Sequence, residues 1–271
     1  MTDPVMLTVW GLLATFVLIL LHVPVGVAMG LAGIVGFGLL QGFAPALAMI
    51  ASETSNALAS LDLATIPLFV LMGSFASLGG LSEDLYRLAY AAVGHRRGGL
   101  AMATIGGCAG FGAVCGSSVA TAATFGRASL PSMLSRGYAP GFAAGTVASG
   151  GTLGILIPPS SIMVIYAVLS QELIITLYIA ALVPALIAIT LHLGTILAYA
   201  RWRPGDAPVG PRATTAERWR ALRDSWQVIV LAVTVIGGMA AGVFTATEGA
   251  AVGAVMAFAF AALRGRIRRA S

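Results

Sequence analysis

Charged residues are scarce in this 271-residue sequence, and lysine does not occur in it. Only 9% of the residues are charged and 58% are apolar, with a mean hydropathy of +0.95, whereas a soluble domain is about 25% charged. The composition excludes an ordinary soluble domain and indicates an integral membrane protein. Without lysine, the chain has neither the Gly-Lys-Ser/Thr of a P-loop ATPase nor the amine of a Schiff-base enzyme.

Cysteine is also rare. Cys108 and Cys115 lie in one apolar stretch without a neighbouring histidine, so we predict packing residues rather than a metal site. All 15 basic residues are arginines between apolar runs, so the pI of about 9.8 indicates membrane topology rather than nucleic-acid binding. No basic residue precedes Arg87, and the run from Val5 is therefore predicted to be a retained span, not a cleaved signal peptide.

Apolar runs long enough to enter a membrane recur along the chain, since a crossing helix needs about 20 apolar residues. Between Gln41 and Thr65, apolar residues recur at helical spacing and polar residues supply the opposite side, which predicts an interfacial helix or connector rather than a span. After Gly80 the sequence predicts an amphipathic helix capped by Ser82, with Glu83 and Asp84 in its first turn. The predicted membrane runs are Val5–Val23, Val25–Leu40, Ile66–Gly80, Leu100–Met133, Ala139–Leu169, Leu173–Ala200, Trp226–Phe244 and Ala246–Leu263.

The arginines predict the topology, because basic residues favour the cytoplasmic side. With the N-terminus outside, all the arginines fall inside, including the tail from Arg264 to Arg269. The run Leu100–Met133 would be about 50 Å long as one straight helix, which is too long for a single crossing. Because arginines precede and follow it, we predict a re-entrant hairpin. The acidic residues that fall outside are Asp3, Glu53, Asp62, Glu172 and Glu248.

Two polar breaks interrupt the predicted membrane helices. In the hairpin, Gly112 and Gly116 permit a turn at which Ser117 and Ser118 supply hydroxyl oxygens. The second break lies within 148–161, where glycines precede two prolines, and a new half-helix is predicted to begin near Pro159. Carbonyls freed between residues 149 and 154 are predicted to meet the hairpin tip. Non-helical backbone at membrane depth is typical of a transporter binding site.

Two alternatives are weighed against a binding site. Glycine, serine and threonine also serve as plain packing residues between membrane helices, as in Gly112-xxx-Gly116. An intramembrane hydrolase is disfavoured, because Val119 stands where the nucleophile motif needs glycine and no His/Asp partner pattern is present. Two breaks in one chain favour a site over packing alone.

The hairpin and the broken helix together resemble the large membrane subunit of tripartite ATP-independent periplasmic (TRAP) transporters. The likeness extends over essentially the whole chain. The segments that carry it are Phe111–Gly126, Leu130–Met133, Arg136–Pro140, Ala148–Ser160 and Gly242–Val252.

The resemblance implies an all-α, polytopic integral membrane protein of the elevator type, with one re-entrant hairpin and one discontinuous helix. It implies sodium-coupled uptake of an organic anion such as a dicarboxylate or sugar acid, with no other cofactor and no enzymatic activity. A periplasmic binding protein would deliver the substrate, and a small membrane subunit would complete the complex in the bacterial inner membrane. The N-terminus would be periplasmic and the C-terminus cytoplasmic.

The resemblance also implies the site residues. Sodium ligands are expected at Ser117, Ser118, Ser149 and Thr152. The wider ion and substrate site is expected to comprise Gly116, Ser117, Ser118, Thr121, Ser149, Gly150, Gly151, Thr152, Gly154, Pro158, Pro159 and Ser160.

The chain departs from the family pattern in one respect, because the second inverted half of the family is represented only by its start. A truncated or split subunit is therefore expected, and a non-transporting remnant or assembly component is the alternative to a working transporter. A channel is a third option. The predicted regions are scaffold spans and connector at 1–99, the transport region at 100–200, an arginine-rich cytoplasmic loop at 201–225, and the start of the second repeat at 226–271.

Overall fold

A computed structural model describes residues 4–266, which fold as helices joined by short connections. Within this range the only β-type pairing is an isolated bridge between Arg97 and Val209, so the predicted all-α class is confirmed. A π-helical segment, Val233–Gly237, interrupts the helical stretch 226–240. The helices are α1 Pro4–Leu20, α2 Val25–Gln41, α3 Phe43–Ala59, α4 Leu61–Leu78, α5 Leu81–Val93, α6 Gly99–Cys115, α7 Ser118–Ala128, α8 Leu130–Ser135, α9 Pro140–Leu156, α10 Ser161–Ser170, α11 Ile174–Trp202, α12 Thr215–Asp224, α13 Trp226–Ala232, α14 Gly238–Ala240 and α15 Ala246–Leu263.

The chain divides into two compact units, Met1–Ser60 and Leu61–Ser271. In the first unit α1 packs on α2 and α2 packs on α3. Pro24 directly precedes α2, as expected for a residue that lacks an N–H and favours a helix start. Gly42 joins α2 to α3 with a φ of 97°, a conformation that glycine adopts without steric cost. The segment between Gln41 and Thr65 contains α3, which ends at Ala59, and the start of α4 at Leu61.

Several helices match the dimensions of a membrane. Among the described residues, α4, α11 and α15 are each long and apolar enough to cross, and two bent pairs raise the total to five. The pairs are α9 with α10, bent by 42°, and α12 with Trp226–Ala240, bent by 48°. The apolar helices α1 and α2 have 17 residues each, or about 26 Å, and are slightly shorter than the hydrocarbon core of a bilayer is thick. The protein is thus a multi-pass membrane protein. The run predicted to end at Phe244 stops being helical at Ala240, so Phe244 lies in the connection to α15.

In the second unit, α4 and α15 form a parallel pair. Near their starts, the Thr65 and Thr247 hydroxyls lie 2.7 Å apart, and Thr247 donates to the Leu61 carbonyl at 3.2 Å. Near their ends, Arg264 donates to the Gly79 carbonyl at 3.1 Å. Both helices therefore run in the same direction, as the predicted topology requires.

Helix α5 begins differently from the sequence prediction. Its N-cap is Gly80, with a φ of 74°, and Ser82 is buried inside the first turn without a capping bond, so the predicted Ser82 cap is wrong. A left-handed glycine turns the chain sharply out of α4, which leaves no extended cap residue at position 82. Asp84 in the same turn contacts Arg87 at 2.7 Å and Arg264 at 2.5 Å.

The segment at 203–210 holds the base of the hairpin. The Ala207 carbonyl accepts from the Gly98 amide at 3.4 Å, and the Asp206 carbonyl accepts from the Ala139 amide at 3.1 Å. Because α12 also packs on α5, contacts among the described residues gather the arginine-bearing segments of this unit at one end. The predicted loop at 201–225 is therefore ordered and contains a helix. Asp3, Arg268 and Arg269 lie outside the described residues.

Helix α12 starts with a capping box that can be tested. The Thr214 hydroxyl accepts from the Glu217 amide at 3.2 Å, and the Glu217 carboxylate accepts from the Thr214 amide at 2.7 Å. The bond from the Thr214 amide, and after it a bond of 2.9 Å that the Thr214 hydroxyl donates to the same carboxylate, hold the pKa of Glu217 below its ordinary value. The capping box is therefore intact at a pH above the ordinary pKa of glutamate, and it is lost as the pH falls through the lowered pKa of Glu217.

Replacing Thr214 by alanine is expected to speed hydrogen exchange of the α12 amides by about fivefold at neutral pH, because a helix start without its cap frays. Thr215→Ala, one position inside the helix, is the matched control and should leave exchange nearly unchanged. Mass spectrometry of the deuterated protein measures both. Equal exchange in the two variants would contradict a capping role.

Candidate functional site

Residues 99–135 form a helical hairpin. α6 ends at Cys115, Gly116 turns the chain with a φ of 63°, and the Ser117 hydroxyl caps α7 by accepting from the Ala120 amide at 3.3 Å. The two arms pack antiparallel, with the rings of Phe111 and Phe125 6.0 Å apart. This confirms the predicted hairpin, with its tip at the predicted glycine and serines.

The two ends of the hairpin lie together. The Tyr138 hydroxyl, beyond the second arm, accepts from the Leu100 amide at the start of the first arm at 3.2 Å. Thr104 donates to the sulfur of Met133 at 3.7 Å. The chain therefore enters and leaves this element at the same end, which is the geometry that a re-entrant segment requires.

The second break separates α9 from α10. α9 ends at Leu156, residues 157–160 are non-helical, and α10 begins at Ser161. Proline disfavours helical backbone at the residue before it, and neither Pro158 nor Pro159 has an N–H to donate to a carbonyl four residues back. The prolines thus end α9, and the Pro158–Pro159 peptide is cis.

One prediction about this break is only partly right. Residues 149–154 were expected to free their carbonyls, but all of them are helical residues of α9, and of these six only Gly154 has a proline, Pro158, in the place of the N–H donor four residues later. Each glycine weakens a helix by only about 1 kcal/mol relative to alanine, and here the glycines allow close packing on the hairpin. The break is therefore set by the prolines alone.

Three glycines of α9 form its contact with the hairpin. A Cβ on Gly154 would lie 2.6 Å from Thr121 Oγ1 and 2.7 Å from the Ser117 carbonyl oxygen. A Cβ on Gly151 would lie 2.7 Å from the Cβ of Ala122, and a Cβ on Gly150 would lie 3.0 Å from the sulfur of Cys108. Small residues here let the two backbones touch, as is usual between membrane helices.

The hairpin tip meets the broken helix directly. The Gly116 carbonyl accepts from the Ser161 amide at 3.4 Å, and a Cβ on Gly116 would lie 2.7 Å from the Pro159 carbonyl oxygen. The hydroxyls of Ser160 and Ser161 are buried there and have no hydrogen-bond partner among residues 4–266. We call this meeting point, formed by Gly116, Ser117, Pro159, Ser160 and Ser161, the junction.

Four helix ends converge at the junction. The C-termini of α6 and α9 present partial negative charge from carbonyls, and the N-termini of α7 and α10 present partial positive charge from amides. The five residues of the junction include no ionisable side chain. The arrangement can therefore offer oxygen ligands to a cation and N–H groups to an anion within one small region.

Two of the predicted sodium ligands lie elsewhere. The Ser149 hydroxyl donates to the Thr146 carbonyl at 3.2 Å, in a cavity of about 530 Å³ between α9 and α11 that His192 also lines. Thr152 is exposed, and its hydroxyl donates to the Ser149 carbonyl at 2.7 Å. The structure brings Gly116, Ser117, Pro159 and Ser160 together, places Ser118 beside them as the first residue of α7, and leaves Ser149 and Thr152 on another face of α9.

Sequence reasoning missed two features of the site. Ser161 was left out, although a serine pair directly after two prolines marks a helix start with polar side chains at the break. A cavity of about 260 Å³ between α4 and the hairpin is lined by Ser74, Ser77, Thr124 and Arg127 among others. Ser74 and Ser77 lie in the predicted membrane run Ile66–Gly80, in which no charged residue marks them as part of a site.

Comparison of the sequence with known proteins identifies a family that matches almost the whole chain. Residues 12–271 match the family described as "Tripartite ATP-independent periplasmic transporter, DctM component". The chain is 36% identical, over 93% of its length, to the C4-dicarboxylate TRAP transporter large permease protein of Rhodobacter capsulatus, and 42% identical, over 74%, to that of Pseudomonas aeruginosa. It is 30% identical, over 90%, to the sialic acid TRAP transporter permease protein of Haemophilus influenzae. It spans 59%, 46% and 39%, respectively, of these relatives' lengths.

Proposed function

This chain belongs to the DctM component family of the tripartite ATP-independent periplasmic transporters, and we propose from that premise that it works as the large membrane subunit in sodium-coupled uptake of an organic anion. The family consists of transport permeases and not of enzymes. A small membrane subunit and a periplasmic substrate-binding protein are the proposed partners. The two unpartnered serine hydroxyls at the junction are the observation that carries the proposal.

Sodium is the coupling ion that suits the junction. Ser160 and Ser161 supply hydroxyl oxygens without a partner, and Ser117 and the Gly116 carbonyl lie beside them. Hydroxyl and carbonyl oxygens can replace the hydration shell of a monovalent cation without a carboxylate. We therefore place the proposed sodium ligands at Ser117, Ser160 and Ser161 rather than at Ser149 and Thr152.

The substrate class follows from the helix ends. A carboxylate is stabilised by helix N-termini, and both α7 and α10 begin at the junction. The relatives bear names with different substrates, C4-dicarboxylates in some and sialic acid in another. We propose an organic carboxylate as the substrate of this chain.

The proposed orientation places the arginine-rich end of the second unit in the cytoplasm of a bacterial cell, with the N-terminus periplasmic. Support comes from the contacts that gather arginine-bearing segments at one end, including Arg264 with Asp84 and Arg97 with Val209. Basic residues that flank membrane spans favour the cytoplasmic side.

Sodium is expected to stabilise the purified protein against heat. At a concentration about ten times its dissociation constant, the ion contributes about 1.4 kcal/mol, which raises the melting temperature by about 3 to 6 °C relative to potassium at equal ionic strength. Ser160→Ala and Ser161→Ala should each remove at least half of this rise. Ser170→Ala, at the exposed end of α10, is the matched control and should keep it. Identical melting in both salts would refute the sodium site.

Uptake tests the transport role itself. Proteoliposomes that contain this chain and the small membrane subunit, supplied with loaded binding protein, should accumulate radiolabelled succinate only under an inward sodium gradient. A sodium-responsive protein without uptake would argue for an assembly component. Steady conductance without coupling would argue for a channel.

A further inference from the structure

A polar cavity of about 390 Å³ lies at the arginine-rich end of the second unit, away from the junction. It is formed where α5 begins, α12 ends, α13 begins and α15 ends. Its lining residues are Asp84, Arg87, Arg223, Asp224, Trp226, Gln227 and Arg264.

The charge of this cavity favours an anion. Three guanidinium groups face two carboxylates, and Asp84 already pairs with both Arg87 and Arg264. Asp224 is exposed, and its backbone carbonyl accepts from Arg264 at 3.2 Å. The Arg223 side chain has no hydrogen bond or ion pair within the part of the chain that the structure describes, so its charge is available to a ligand.

Gln227 gives a second, independent indication of a ligand. The residue is only 7% exposed, it lines the cavity, and its Oε1 has no hydrogen-bond partner within the described part of the chain. A buried acceptor without a donor is costly. The cavity therefore suits a ligand that carries an anionic group for the arginines and a hydrogen-bond donor for Gln227.

An apolar groove continues from the same cavity. It measures about 530 Å³, runs along α12 and α13, and shares Arg223 and Trp226 with the polar cavity. Trp219 and Trp226 expose 70% and 51% of their surfaces, as tryptophans at a membrane interface do. The groove is lined by Trp219, Leu222, Arg223, Trp226, Ile229 and Val230.

We propose that this continuous cavity and groove bind one anionic glycerophospholipid, of the phosphatidylglycerol type. Its phosphate would lie among Arg87, Arg223 and Arg264, a headgroup hydroxyl would donate to Gln227, and an acyl chain would follow the groove past Trp226. A basic pocket beside membrane helices is a known kind of headgroup site. A free phosphate would leave the groove without an occupant, and a polypeptide would not require three converging guanidinium groups.

Native mass spectrometry of the detergent-purified protein, titrated with dioleoylphosphatidylglycerol, tests the proposal. Arg223→Gln should weaken lipid binding by about fivefold, the effect of one arginine near an anionic headgroup. Arg220→Gln, one turn away on α12 and outside the cavity, should change it less than twofold. Asp224→Asn, which removes an opposing charge, should strengthen binding.

Dioleoylphosphatidylcholine, whose headgroup has no hydrogen-bond donor, should bind more weakly than phosphatidylglycerol by at least fivefold. Equal binding of the two lipids, or equal losses in the Arg223 and Arg220 variants, would overturn the proposal. Competition by glycerol 3-phosphate at similar concentration would overturn it in favour of a soluble phosphate ligand. A polypeptide found in the groove in place of lipid would also overturn it.

Discussion

Replacing Gly154 by alanine is expected to push the broken helix away from the hairpin and to lower the melting temperature of the purified protein. The new Cβ would lie 2.7 Å from the Ser117 carbonyl oxygen, which is backbone and cannot rotate away. Overpacking of this kind costs about 1 to 3 kcal/mol. At the middle of this range, about 2 kcal/mol, and at about 2 to 4 °C per kcal/mol, we expect a loss of about 4 to 8 °C.

Gly145→Ala is the matched control, because Gly145 lies in the same helix, α9, and a Cβ on it would have nothing within 4 Å among the described residues. Alanine is a better helix former than glycine by about 1 kcal/mol, so this variant should melt slightly higher than the parent. The sodium-dependent rise should persist in Gly145→Ala and disappear in Gly154→Ala. If both variants melted alike, the close contact between α9 and the hairpin would be wrong.

Asp84→Asn is expected to have the largest effect on stability of any single change considered. The Asp84 side chain is 4% exposed and is shared by Arg87 and Arg264. Losing this buried carboxylate breaks two ion pairs at once and leaves the Arg264 guanidinium, whose side chain is 23% exposed, without its anion, at a cost of about 3 kcal/mol, the low end for a buried pair. The melting temperature should fall by about 6 to 12 °C, because α5 and the end of α15 lose their common anchor.

The neighbouring pair supplies the control. Glu83 contacts Arg266 at 3.3 Å, but both side chains are nearly half exposed. An exposed pair of this kind contributes about 0 to 1 kcal/mol, so Glu83→Gln should lower the melting temperature by no more than about 4 °C. Differential scanning fluorimetry of both variants in one detergent makes the comparison. A similar fall for Glu83→Gln would show that position within the helix, and not burial, governs the effect.

The hairpin illustrates what local chemistry alone can predict. Its turn at Gly116 and its cap at Ser117 follow from glycine's conformational freedom and from the preference of serine for an N-cap. Thr245 and Glu248 likewise form a capping box at the start of α15, in the Thr-x-x-Glu order of that motif. Such features depend on a few consecutive residues.

The predicted sodium ligands illustrate where local chemistry stops. Ser149 and Thr152 belong to the same helix as Gly150, Gly151 and Gly154, yet only the glycines face the hairpin. A sequence that contains no charged residue on α9 gives little indication of which face is buried. Close backbone packing determines which face of α9 lies against the hairpin, since only the face that carries the glycines allows α9 to approach α7 closely.

The sequence by itself determined that this is a helical membrane protein, where its helices break, and to which family its motifs point, because composition, proline and glycine act locally. Only the tertiary structure decided which polar groups meet. It brought Ser160 and Ser161 to the hairpin tip, turned Ser149 away, and joined Asp84 to Arg264 across 180 residues. Those pairings depend on how helices pack, and packing depends on surfaces that no single segment of sequence specifies.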